Sequence, residues 1–200
     1  MHNSPSYIHS ALEDAWNTYK NHFIVATANS ILFLLSVPLL AITIIGLFFI
    51  PGVYVGYLKS MIDLARDREV QIGGFFKVGF QKLPSSLGLI FIKSILLCIA
   101  YLFFIIPGIY LNIVWIFASI IFADTNRGVM DSLSYSRYLV SGRWWDVFFL
   151  YFILSFLSLL MFAPLNFFVL AYMTFTYIHY YVRVSIEKEP MRELIHDQVV

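Results

Sequence analysis

The chain is short of charge. Only 12% of its 200 residues are Asp, Glu, Lys or Arg, about half the share of an ordinary soluble domain. With 60% hydrophobic residues and a mean hydropathy of +0.79, there is too little polar side chain to cover a globule in water. A soluble single domain is therefore excluded, and the apolar surplus must face lipid. A net charge of +1 leaves no basic surplus, so nucleic acid is not an expected partner. The one cysteine, Cys98, sits inside an apolar run. No disulfide can form within the chain, and Cys98 reads as a small hydrophobe.

Catalytic and metal-binding patterns are also missing. The histidines at 2, 9, 22, 179 and 196 stand at no metal-ligand spacing, and no GxSxG, P-loop or GxGxxG occurs. Gly73-Gly74 is a lone pair and reads as a flexible joint in a polar loop. Asp63 is the only carboxylate well inside an apolar run, so the paired acids of an intramembrane enzyme are absent. The sequence predicts no enzyme, no cofactor and no metal. It also lacks a basic segment leading into a short apolar one at its start. The apolar run from Phe23 is too long for a signal peptide and reads as a retained span.

Three long apolar runs are present: Phe23–Arg66, Ser85–Ala123 and Trp145–Val182. Each has about 40 residues, where a membrane helix needs about 20, so each is expected to hold two spans. The predicted fold is all-α: a polytopic membrane protein with six transmembrane helices in three hairpins. The stretch "LFFIPGVYVGY" at 47–57 returns as "LFFIIPGIYLN" at 102–112, and Pro51, Pro107 and Pro164 recur at a period of about 56 residues. Proline removes an amide hydrogen and disfavours helix in the residue before it, and glycine frees the backbone. Pro51-Gly52 and Pro107-Gly108 are therefore expected at the hairpin turns, with proline as an early residue of the next helix. The third copy, Ala163-Pro164-Leu165, has no glycine.

The period extends into the polar segments. An amphipathic stretch precedes each hairpin, with one apolar face formed by Tyr7, Ile8, Ala11, Leu12, Ala15, Trp16 and Tyr19 in the first. Ile72, Phe75, Phe76, Phe80 and Leu83 form it in the second, and Val129, Met130, Leu133 and Val140 in the third. These stretches are expected to lie in the membrane interface, apolar face down. The whole chain, 1–200, then reads as a single transmembrane domain with repeats at about 5–66, 70–123 and 128–183 and a tail at 184–200. Of the 13 Lys and Arg, all but Lys59 and Lys93 fall between or outside the hairpins, and none falls at the proline turns. By the positive-inside rule both termini are cytoplasmic, in a bacterial inner membrane. A reporter fused at a proline turn and found in the cytoplasm would overturn that orientation.

Charge inside the spans marks the candidate binding residues. Asp63 follows Lys59 by one helical turn, close enough to pair, and Lys93 lies in the third span. An ionisable group costs at least ~2.5–3.5 kcal/mol near the centre of a bilayer. Lys59, Asp63 and Lys93 are candidates to hold an anionic headgroup, an ion or a proton; the alternative is mutual neutralisation and snorkelling. In the second polar loop Asp124, Arg127, Arg137 and Arg143 are candidates to meet lipid phosphates or a partner's acids, or to lock the loops by ion pairs. Trp144 and Trp145 read as interfacial anchors.

The segment "IIPGIYLNIVWIFASIIFADTNRGVMDSLSYSRYLVSGRWWDVF" resembles a large group of bacterial six-helix membrane proteins of unassigned function. The shared elements are Pro107-Gly108-Ile109-Tyr110, Ala123-Asp124 and the stretch from Ser136 to Gly142. It is similar, more weakly, to the membrane domain of some glycerophosphodiester phosphodiesterases. The resemblance implies an integral membrane protein of repeated hairpins in phospholipid surroundings, and it carries no catalytic residues. The expected function is to bind or move a lipid, amphiphile or small solute between the hairpins. The alternatives are an accessory or scaffold subunit with a protein partner, or a small channel as a homo-oligomer.

Overall fold

The computed structural model describes residues 4–103, 105–125, 127–160 and 166–199. Among these the only regular structure is helical. The order is short helix, long helix, long helix, three times over. The first set is α1 (Ser4–Asn21), α2 (Phe23–Ala41) and α3 (Ile44–Ala65). The second is α4 (Phe75–Gln81), α5 (Leu83–Phe103) and the broken pair α6 (Ile105–Val114) and α7 (Ala118–Asp124). The third is α8 (Val129–Val140), α9 (Trp144–Leu160) and α10 (Asn166–Val199).

Four segments are long and apolar enough to cross a membrane: α2, α3, α5 and the combined α6–α7. The pair α8 and α9 passes the same test together but is bent by 100°, at a corner where Gly142 takes φ +78°. Four or five candidate spans are therefore seen where six were expected. The described part of α9 has 17 residues, short of the ~20 that span a bilayer. α10 misses on composition, because Thr174, Thr176, His179 and tyrosines interrupt its apolar residues.

Burial separates the long helices into two kinds. Only 28% of the apolar window of α2 and 17% of that of α5 is buried, against 56% for α3 and 50% for α6–α7. α9 belongs with the outer helices, exposing Trp145, Phe149, Phe152, Phe156 and Leu159. α10 belongs with the inner ones, with Ala171, Phe175, Thr176 and Tyr180 fully buried. The first long helix of each set is thus outer and the second inner.

Each short helix packs part of its apolar face on an inner helix, while Trp16, Phe80 and Met130 of the same faces stay more than half exposed. α4 packs on α3, α8 on α7 and α1 on α10. Ala11, Ala15 and Tyr19 of α1 are buried. Arg183 of α10 pairs with Asp14 of α1, and His179 hydrogen bonds with Thr18 at 2.8 Å. Each short helix packs on the inner helix before it in the chain. α1, with none before it, takes the last.

The proline turns need a correction. Pro51 is the eighth residue of α3, well inside the helix. The first hairpin turns at Ile42–Thr43, where extended Thr43 accepts the Gly46 N–H on its side chain at 3.0 Å. That cap starts the helix earlier than proline would. Pro107 fits the expectation better, as the third residue of α6, where its missing N–H would have no helical partner. Pro164 lies outside the described residues.

Pro51 is followed by Gly52-Val53-Tyr54-Val55-Gly56, two glycines on one helical face. A Cβ on Gly52 would meet the Gly79 carbonyl oxygen at 2.6 Å, and one on Gly56 the Phe75 oxygen at 2.1 Å. α3 and α4 thus meet backbone to backbone. In lipid, where apolar burial drives helix association little, such close packing supplies much of the attraction.

Candidate functional site

Two adjoining clefts form where the α4–α5 joint meets the α7–α8 loop. Lys82 ends α4 directly before α5, whose first turn carries Pro84 at no cost in hydrogen bonds. Opposite, α7 stops at Asp124. Thr125 turns extended and donates its hydroxyl to the Ile121 carbonyl at 2.7 Å, and Arg127 follows just before α8. The first cleft, of about 330 Å³, is lined by Lys82, Ser85, Gly88, Phe122, Thr125, Arg127, Gly128 and Val129. The second, of about 430 Å³, is lined by Arg127, Asp131, Ser134, Tyr135 and Tyr138. Arg127 belongs to both.

The two cations of the first cleft are lightly partnered. Lys82 Nζ donates to the Ala123 carbonyl at 3.4 Å and lies 5.8 Å from the centre of the Phe122 ring. Burial first, and then the charge of Lys59, hold the Lys82 ammonium below its ordinary pKa, partly offset by Asp124. The Arg127 guanidinium stacks over the Tyr135 ring at 4.0 Å and has Glu189 at 4.0 Å, the outer limit of an ion pair. Both retain N–H groups to offer an anion. Phe122 and Val129 make the rest of the wall apolar, so the cleft suits a ligand with a charged end and a greasy one.

The candidate residues read from the sequence are distributed differently. Lys59 and Asp63 form the expected pair at 2.9 Å, and Arg68 reaches the same carboxylate oxygen at 3.1 Å. They occupy the last two turns of α3 and do not line either cleft. Lys93 donates to the carbonyl of Trp115 at 3.0 Å, in the break between α6 and α7. Ser136 donates to the neighbouring Val114 carbonyl at 2.8 Å. Ser136 thus supplies a donor to a carbonyl at the break, while the Trp115 carbonyl takes the Lys93 ammonium in addition to the Ala118 N–H at 3.2 Å.

The loop candidates mostly tie the fold together. Asp124, 6% exposed, takes both terminal nitrogens of Arg66 at 2.5 and 2.8 Å and the Tyr181 hydroxyl at 3.2 Å. The hydrogen bond to Asp124 raises the Arg66 guanidinium pKa, against the opposing effect of its own burial. Arg143 pairs with Glu187 at 2.5 Å and lies over the Tyr7 ring at 4.4 Å, joining α1 to α10. Arg137 is exposed. Of the loop set, Arg127 alone lines the clefts. Gly73 is no loose joint: its φ is +76° and its N–H donates to buried Asn29 at 2.8 Å.

Lys82, Ser85 and Thr125 were missed as site residues. A signal was available: a cation directly before an expected span, with a serine three residues on. Nothing in the sequence joins it to Arg127, 45 positions later. Compared with known proteins, the chain matches no family model, no curated protein and no solved structure.

Proposed function

We propose that this is an integral protein of a bacterial inner membrane that holds a phospholipid by its phosphate in the Lys82–Arg127 cleft. The observation that carries this is the pairing of two lightly partnered cations with apolar walls in one cleft beside a lipid-exposed helix. Phe91, one turn beyond Gly88 on the same face of α5, is 67% exposed. An acyl chain has a path along it. Lys or Arg near an anionic surface contributes about 1 kcal/mol each. The hydroxyls of Ser85 and Thr125 offer further donors.

The wider architecture is part of the same proposal. Three hairpins, each with an outer and an inner span, make six spans of which α10 is the last, with α8–α9 bent as it enters the membrane. The repeated order of elements and the repeated packing of short helices on inner ones support this. The resemblance around Pro107–Phe148 favours a bacterial inner membrane, and the positive-inside distribution favours the cytoplasmic leaflet for the cleft.

Native mass spectrometry of the full chain released from mild detergent tests the site. The wild type is expected to retain phospholipid, and the double variant Lys82→Met, Arg127→Met to lose most of it. Equal retention by the two would sink the proposal.

A further inference from the structure

The charge around the first cleft is lopsided. Among the described residues that line it there are two cations and no carboxylate. Asp124, next to Thr125 in the chain, is taken up by Arg66 and the Tyr181 hydroxyl. Lys59 acts on Lys82 from α3, its charge adding to burial in lowering the Lys82 pKa. Lys59 shares the single carboxylate of Asp63 with Arg68, so that group carries a positive surplus too. Glu189 stands 4.0 Å from Arg127 with its side chain 56% exposed, where water screens it.

We propose that the ligand held here ends in a phosphate monoester, so that an amphiphile with a terminal, doubly charged phosphate is taken in preference to a phosphodiester lipid; this rests on the phospholipid reading above. A diester carries one negative charge and leaves one of the two cations unmatched. A monoester carries about 1.5–2 charges at neutral pH and three acceptor oxygens, enough to engage both. The lining is equally bare of partners for anything beyond the phosphate. Apart from the cations and the hydroxyls of Ser85 and Thr125, its walls are Gly88, Phe122, Gly128 and Val129, which give a sugar or an amine no side-chain partner. The second cleft, which shares Arg127, is where the outer substituent of a diester would lie. Its aromatic faces already serve the chain's own cations, Arg127 over Tyr135 at 4.0 Å and Lys188 over Tyr138 at 5.2 Å. A headgroup that stops at the phosphate needs nothing from it.

The test offers the purified full chain an equimolar mixture of phosphatidic acid, phosphatidylglycerol and phosphatidylethanolamine with identical acyl chains, and reads bound lipid by native mass spectrometry. At about pH 7.5, where the monoester holds most of its second charge, phosphatidic acid is expected at about tenfold over the other two, the ratio of one further charged contact. At about pH 5 the monoester has taken up a proton, and its ratio to phosphatidylglycerol is expected to fall to about twofold or less. Lys59, Asp124, Asp131 and Glu189, the other charged groups around Lys82 and Arg127, act on these two anionic lipids alike, so the ratio reads the titration of the lipid. Lys82→Met alone and Arg127→Met alone each leave one cation and are expected to bring the ratio near one. Lys77→Met removes an exposed cation of α4 that lines neither cleft, and is expected to leave it unchanged. Circular dichroism checks the fold of each variant. Equal uptake of the three lipids by the wild type, a preference for phosphatidylethanolamine, a ratio that ignores pH, or an equal drop in Lys77→Met and Lys82→Met would overturn the monoester site, while retained lipid upholds the phosphate cleft. Full retention of all three lipids by the Lys82→Met, Arg127→Met protein would overturn both. Glycerol 3-phosphate, a monoester without acyl chains, is expected to compete weakly. If it displaces lipid at equal concentration, the ligand is a soluble phosphomonoester and the lipid source is wrong.

Discussion

The stretches at 47–57 and 102–112 are nearly the same in sequence and differ in almost everything else. In the first, Pro51, Gly52, Val53, Val55, Gly56 and Tyr57 are buried in the middle of α3. In the second, only Gly108 is buried between Ile105 and Tyr110. The first carries the crossing of two backbones, α3 on α4, and the second begins a helix beside Tyr101 of the helix before it. Two small sequence differences account for the divergence. Thr43, which caps α3 four residues before Leu47, is matched four residues before Leu102 by Cys98, which is a poor cap. Gly56 is matched by Asn112, so the second copy lacks the second glycine of the close-packing face. A short motif states what a backbone can do, and its neighbours decide what it does.

Exchanging the residues that differ should therefore break the comparison. Gly56→Asn places a side chain where the Phe75 carbonyl oxygen would be 2.1 Å from its Cβ. It is expected to cost about 3 kcal/mol or more, from overpacking and a buried amide short of partners. Asn112→Gly, the reverse exchange in the second copy, should cost about 0.3 kcal/mol, the small gap in helix propensity between asparagine and glycine. Unfolding in detergent followed by circular dichroism measures both, and equal effects would dissolve the distinction.

A smaller contrast follows at the shared glycine. Gly52→Ala meets the Gly79 carbonyl oxygen at 2.6 Å, a backbone atom that moves only with its helix, whereas Gly108→Ala meets the ring of Tyr101, which is 42% exposed. The first should lower stability by about 1–3 kcal/mol and the second by under about 1. A larger loss at Gly108 would mean that the Tyr101 ring is held in place.

The smallest contrast concerns the prolines. Pro51 withholds the N–H that the Leu47 carbonyl would accept, while Pro107 sits where no such bond is due. Pro51→Ala is expected to raise the unfolding midpoint by the equivalent of about 1 kcal/mol, less than the full interior penalty because buried ring contacts are lost too. Pro107→Ala should stay within about 0.5 kcal/mol. A destabilised Pro51→Ala protein would show that α3 depends on the shape of the ring.

The site was less legible than the fold. The i,i+4 geometry of Lys59 and Asp63 could be read directly, because it depends only on helical spacing. Lys93 was singled out by its cost in a membrane, yet the Trp115 carbonyl that receives it exists only because α6 and α7 break. Arg127 was named among the loop cations; its cleft was not, since Lys82 reaches it across a turn and a whole hairpin.

Composition and hydropathy alone determined that this chain is helical and suited to a membrane, because each residue's transfer cost between water and lipid is a local property that adds along the chain. The same addition located the long helices and the charged segments between them. Tertiary structure alone decided which helices are inner and which outer, where α3 begins, and that Lys82 and Arg127 share a cleft with Asp131 beside it. Lipid and protein interior are both apolar, so hydropathy cannot tell a residue facing one from a residue facing the other. That choice rests on side-chain shapes meeting across helices distant in sequence, as Gly52 and Gly56 meet α4.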